Sequence, residues 1–227
     1  MRPPIEFLFP PELGAELIYS FVIVVCSLMI YYATKEMYEL SSYKGIKYFR
    51  QSFLFFAVAY FFRYFIIFLL TLFNIDDFLG LSIRQVYPFS LFVFLYSSTM
   101  AVFYLVYSVM WKRWNNNKLN LILFNFFALV LALLGILFGG MEMSLFLNVL
   151  FFFSVSFILL VAYIESKNKH KGKSLLAFYF LLFIFFFLNI IDVMTPMFLQ
   201  FFKLAVYLAS ILTFMIILYR VLKNIGN

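Results

Sequence analysis

The chain has 227 residues, of which 66% are hydrophobic, 24% aromatic and 12% charged. A soluble domain is nearer half apolar and one quarter charged, so a water-soluble globule is excluded and lipid is the expected solvent. The net charge of +7 sits in short clusters between apolar runs, which is the membrane pattern, and no nucleic-acid partner is expected.

Residues 1–12 carry Pro3, Pro4, Pro10 and Pro11 and read as a short Pro-rich extracellular segment. The apolar run that follows is too long for a cleavable signal peptide. Glu6 and Glu12 stand before it where a signal would carry a basic region. About 20 apolar residues cross ~30 Å of hydrocarbon as a helix, and seven stretches qualify. They run Leu13–Tyr32, Ser52–Phe73, Val86–Met110, Leu119–Phe138, Met143–Ile164, Ser174–Met194 and Met197–Leu222. Pro196 marks the turn between the last two. Strands are excluded by length and by the lack of alternation. The fold class expected is all-α: a polytopic bundle of seven transmembrane helices over residues 13–222, ending in a short cytoplasmic tail, 223–227.

Lys35, Lys44, Lys47 and Arg50 lie between spans one and two, and Lys112, Arg113 and Lys118 between three and four. Lys167, Lys169, Lys171 and Lys173 lie between five and six, and Arg220 and Lys223 follow span seven. The alternate loops carry Asp76, Asp77, Arg84 and Glu142. Basic loops stay in the cytoplasm, so the N-terminus is expected outside and the C-terminus inside a cell membrane.

Charged residues at bilayer depth are expensive, rare and usually turned into the bundle. Arg63 is the strongest case, about eleven residues into span two and read as mid-bilayer. Ser97, Ser98 and Thr99 of span three are its expected acceptors, and Tyr60, Tyr64 and Tyr96 add hydroxyls and ring faces. A second group, Glu16, Asn148, Asn189, Asp192 and Lys203, with Gln85 and Gln200 at similar depth, is expected to line an outward-opening polar cavity. Asp192 and Lys203 flank the Pro196 turn, so antiparallel packing is expected to bring them together. Lys203 is too near the outer end of its helix for a retinal-type Schiff base.

Cys26 is the single cysteine and lies in an apolar run, and the single histidine, His170, lies in a Lys-rich loop. No intramolecular disulfide, metal-ligand cluster, cofactor motif or catalytic constellation is expected from these residues, and none of the intramembrane hydrolase motifs is present.

The stretch YYATKEMYELSSYKGIKYFRQSFLFFAVAYFFRYF, Tyr31 to Phe65, resembles the first hairpin of prokaryotic seven-helix sensory input domains of the histidine-kinase-associated type. There too a basic loop leads into an aromatic second helix. The resemblance implies a receptor-like or accessory sensory protein. Those domains precede a cytoplasmic kinase or cyclase, whereas this sequence stops soon after span seven, so signalling through another membrane or signalling protein is expected. The alternative is a small-solute transporter or channel subunit. It draws on a possible 3+1+3 repeat in which both halves carry a basic first loop with Lys-Gly, at Lys44-Gly45 and Lys171-Gly172.

Overall fold

In hydrocarbon every backbone N–H and C=O must find its partner inside the segment, so long apolar runs become helices. The computed structural model describes residues 11–65, 83–114, 118–138, 141–168, 173–195 and 199–225. Among these residues there are seven helices and no strand. They are α1 (Pro11–Ser41), α2 (Lys44–Tyr60), α3 (Ile83–Met110), α4 (Lys118–Leu137), α5 (Met141–Asn168), α6 (Lys173–Met194) and α7 (Gln200–Ile225). Six of them, all but α2, are long and apolar enough to cross a membrane. The chain is an all-helical, multi-pass membrane protein. The end of the second expected span, the loop with Asp76 and Asp77, and Lys169, His170, Lys171, Gly172 and Pro196 lie outside the described residues.

Helices outrun the expected spans where the sequence turns polar. α1 continues past Tyr32 to Ser41 and α2 starts at Lys44, so the expected first loop is mostly helix. The turn is tight: Ser42 adopts a left-handed conformation (φ 50°), and its N–H donates to the Tyr38 carbonyl at 2.8 Å. Arg50 joins the two helices there, its Nε donating to the Tyr31 carbonyl at 3.0 Å and its guanidinium 4.2 Å from the Tyr31 ring centre.

Helix contacts set the arrangement. α1 packs on α2, α2 on α3, α3 on α5, α5 on α6, α6 on α7, and α7 returns to α1. Six helices thus close a ring, and α4 stands outside it against α3. The main core draws on those six: Ile23 and Ile30 from α1, Phe53 from α2, Leu105 from α3, Val155 from α5, Phe185 from α6 and Phe214 from α7. α4 meets α3 on a stripe of small residues. Among its described residues only Ala128, Ala132 and Gly135 are buried, spaced to share one face. Small side chains let helices approach closely where lipid offers no hydrophobic drive to pack. Leu123, Phe126, Phe127 and Leu133 face outward.

Candidate functional site

α1, α3, α5 and α7 begin, and α2 and α6 finish, at the same end of the ring. That end gathers the polar residues. α2 does not finish as an α-helix: Phe61–Phe65 form a π-helical turn, a feature common at functional sites. The wider turn alters which carbonyls are satisfied within the helix, and the hydroxyl of Ser90, on α3, donates to the carbonyl of Phe62. Arg63 lies in this turn. It stands roughly 28 Å along the axis from Lys44 at 1.5 Å per residue, at the end of the ring where the polar residues gather. α2 starts eight residues before the expected span, at Lys44.

Arg63 Nη2 lies 4.0 Å from Asp192 Oδ2, and its guanidinium lies 5.4 Å from the Phe94 ring and 5.9 Å from the Tyr60 ring. Its carboxylate partner comes from α6, where span-three hydroxyls had been expected to supply the acceptor. Thr99 donates instead to its own helix at the Leu95 carbonyl, 2.8 Å away, and Ser97 is buried on the same helix. Tyr96 faces away from Arg63 and donates to Asn125 Oδ1 on α4 at 2.7 Å. Of the three expected partners only Ser98 shares a cavity wall with Arg63. The side chain of Tyr64 lies outside the described set, as do those of Gln85 and Gln200.

The second group divides differently from expectation. Lys203 pairs with Glu16 across α7 and α1, Nζ to Oε1 3.2 Å, while Asp192 takes Arg63. Tyr207, one turn beyond Lys203, donates to the same Glu16 oxygen at 2.8 Å. Asn189 holds a third junction. Its Nδ2 donates to the Phe185 carbonyl at 2.9 Å, and its Oδ1 lies 3.3 Å from the hydroxyls of both Tyr19 and Tyr60. Tyr19 stacks on Tyr207, ring centres 5.1 Å apart. One layer therefore runs from Lys203 through Glu16, Tyr207, Tyr19, Tyr60 and Asn189 to the Arg63–Asp192 pair, and it ties α7, α1, α2 and α6 together. Its two cations and two carboxylates cancel. A balanced layer is what a low-dielectric surrounding tolerates, since each charge has an opposite charge at hand.

Tyr19 and Tyr207 were not foreseen. Their spacing from charged residues would have marked them: Glu16 and Tyr19 are three apart, Lys203 and Tyr207 four apart, so each pair shares a helix face.

Beside Arg63 lies a cavity of about 230 Å³ between α2, α3, α5 and α6. Phe56, Phe94, Leu147, Phe151 and Phe186 supply its apolar wall. Arg63, Ser90, Ser98, Asn148 and Asn189 supply its polar groups. The residues expected in two separate places, Arg63 with Ser98 and Asn148 with Asn189, thus meet in one cavity. An apolar chamber with a few convergent polar groups is the usual form of a small-molecule site. Among the described residues no three His, Cys, Asp or Glu side chains come together in a way that could hold a metal ion.

No family model and no solved structure matches the chain. A protein of Archaeoglobus fulgidus described as an "Uncharacterized protein" is 32% identical over 225 residues, covering 98% of this chain and 96% of that protein. Similarity at that level over nearly the full length of both places the two in one family, so this multi-pass membrane protein belongs to the family of the Archaeoglobus fulgidus protein.

Proposed function

We propose that this is a receptor-like seven-helix protein of the cell membrane, non-enzymatic, that binds a small ligand and acts through helix contacts with a partner protein. The observation that carries the reading is the cavity beside Arg63, whose wall also belongs to the layer joining four helices. A ligand that engages Arg63 or Asn189 changes contacts of α2 and α6 directly and those of α1 and α7 through Tyr19 and Glu16. Differential contact with two helix arrangements is what a ligand needs to shift a receptor's equilibrium. The N-terminus is taken as outside, because Lys35, Lys44, Lys112, Arg113 and Lys223 lie at the helix ends away from the polar layer.

Two measurements test this. Asp77→Cys in a chain with Cys26→Ser should react with a membrane-impermeant thiol reagent on intact cells, and Lys169→Cys should not. The reverse pattern inverts the topology. A fragment screen by thermal shift should find ring-sized compounds that stabilise the wild-type chain but not Leu147→Trp, whose indole fills the cavity. In sealed liposomes those compounds should enter no faster and reach no higher level than in protein-free liposomes. Protein-dependent accumulation inside would assign the protein to the transporter class.

A further inference from the structure

We infer that the cavity beside Arg63 receives a small organic acid, its carboxylate taking the Arg63 guanidinium in exchange for Asp192 and its apolar part lying among Phe94, Phe151 and Phe186. The inference rests on the ligand-binding reading above and names the ligand's class.

Three observations converge. First, the formal charge in the cavity wall is positive. Arg63 lines it, whereas Asp192, the opposite charge, stands beyond. A guanidinium matches a carboxylate as a planar fork of donors. Second, the native pair is loose. Its N···O separation is 4.0 Å, against ~2.7–2.9 Å for a charge-assisted hydrogen bond. Asp192 is 8% exposed, and its Oδ1 is buried with no hydrogen-bond partner among the described residues. A ligand carboxylate at hydrogen-bonding distance would make a closer contact with Arg63 than Asp192 does. Third, the size and character fit. A dry cavity of about 150 Å³ accommodates benzene. The 230 Å³ here leaves room for a six-membered ring and an acid group, with Asn148 and Asn189 near the polar part and aromatic rings around the rest.

Charge balance adds a consequence. Among the described residues, the charged and titratable groups around Asp192 are Arg63 and Tyr60 on α2 and its π-turn, Glu16 and Tyr19 on α1, and Lys203 and Tyr207 on α7. With Glu16 held by Lys203, an incoming carboxylate leaves the layer with one extra negative charge unless Asp192 takes up a proton. The neutral acid then enters as anion plus proton: the anion on Arg63, the proton on Asp192.

The test uses the full chain in lipid nanodiscs with benzoate, benzyl alcohol, benzylamine and tetradecanoate, read by titration calorimetry. Benzoate should bind at least about tenfold more tightly than benzyl alcohol, one charged contact being enough for that ratio. Its affinity should rise as pH falls from about 8 to 6, by up to about tenfold per unit, over a range where benzoate itself stays ionised. Asp192→Asn, the neutral isostere, should bind benzoate more tightly at pH 8 and lose the pH dependence. Arg63→Gln should lose the preference for the acid, and Arg63→Lys should keep part of it and serves if the glutamine variant does not fold. Weaker benzoate binding in Asp192→Asn, or a preference for benzylamine, would overturn the acid assignment while leaving a ligand site in place. Tighter binding of tetradecanoate than of benzoate would move the ligand's source to the lipid and also overturn it. If none of the ring compounds binds either chain, the ligand-binding reading falls with it.

Discussion

Two levels of the same bundle are held by different physics. Midway along, Phe53, Phe178, Phe185 and Phe214 meet edge to face, with Phe185 and Phe214 centred 5.0 Å apart. These contacts depend on shape, are individually small and have no fixed partner requirement. At the polar end Glu16, Asn189, Asp192 and Lys203 each rely on named atoms of another helix. The first level tolerates any side chain of the right volume. The second depends on partners, because a charge or amide left alone in a dry place has nothing to replace them. The comparison teaches that shape-dependent packing and partner-dependent polar contacts hold different depths of one short bundle.

The comparison can be broken from either side. The largest effect is expected in the aromatic level. Phe185→Ala removes a fully buried ring and should cost about 3 kcal/mol, the lower end for such truncations, because lipid contributes less than water to the drive for burial. Reversible unfolding in mixed micelles reads it. A loss below that of the Asp192 variant would reverse the ranking of the two levels.

Next comes the Arg63–Asp192 pair. Asp192→Leu alone removes the Asp192 carboxylate from Arg63 and should cost about 2 kcal/mol, less than for a fully buried pair because the Arg63 side chain is 22% exposed. Asp192→Leu together with Arg63→Leu should recover most of that loss, since apolar packing replaces a buried pair well. A double variant that unfolds as readily as the sum of the singles would show that the two residues act independently.

The smallest effect belongs to Glu16→Gln. The amide oxygen still accepts from Tyr207, so only the charge toward Lys203 is lost. The expected change is about 0.5–1 kcal/mol, fading in high salt. A salt-independent loss several times larger would mean that Glu16 organises the whole layer.

The residues of the polar layer were legible one at a time. Lipid makes a charge conspicuous in an apolar run, and Glu16, Arg63, Asp192 and Lys203 stood out for that reason. Their partners were not legible. Asp192 and Lys203 flank one turn, yet each prefers a helix elsewhere in the ring, Arg63 on α2 and Glu16 on α1. Nor does hydropathy reveal burial here. α3 is the least apolar of the six long windows and the most buried, whereas α4 is among the most apolar and the least buried. In water that order would be inverted; in lipid the outward face must be the oilier one.

The amino-acid sequence by itself determined the helical, membrane-crossing character of the chain, because length and apolarity settle how a backbone satisfies its hydrogen bonds where there is no water. It also singled out the few ionisable side chains that such a setting must shelter. Tertiary structure alone decided that α4 stands outside the ring, that a π-turn carries Arg63 to the polar end, and that Asp192 pairs with it beside a cavity. A neighbouring helix and a lipid tail are almost equally apolar, so the residue pattern along one helix does not say which will cover it. That choice rests on small-residue stripes such as Ala128, Ala132 and Gly135 and on a few polar contacts, which take effect only when the helices meet.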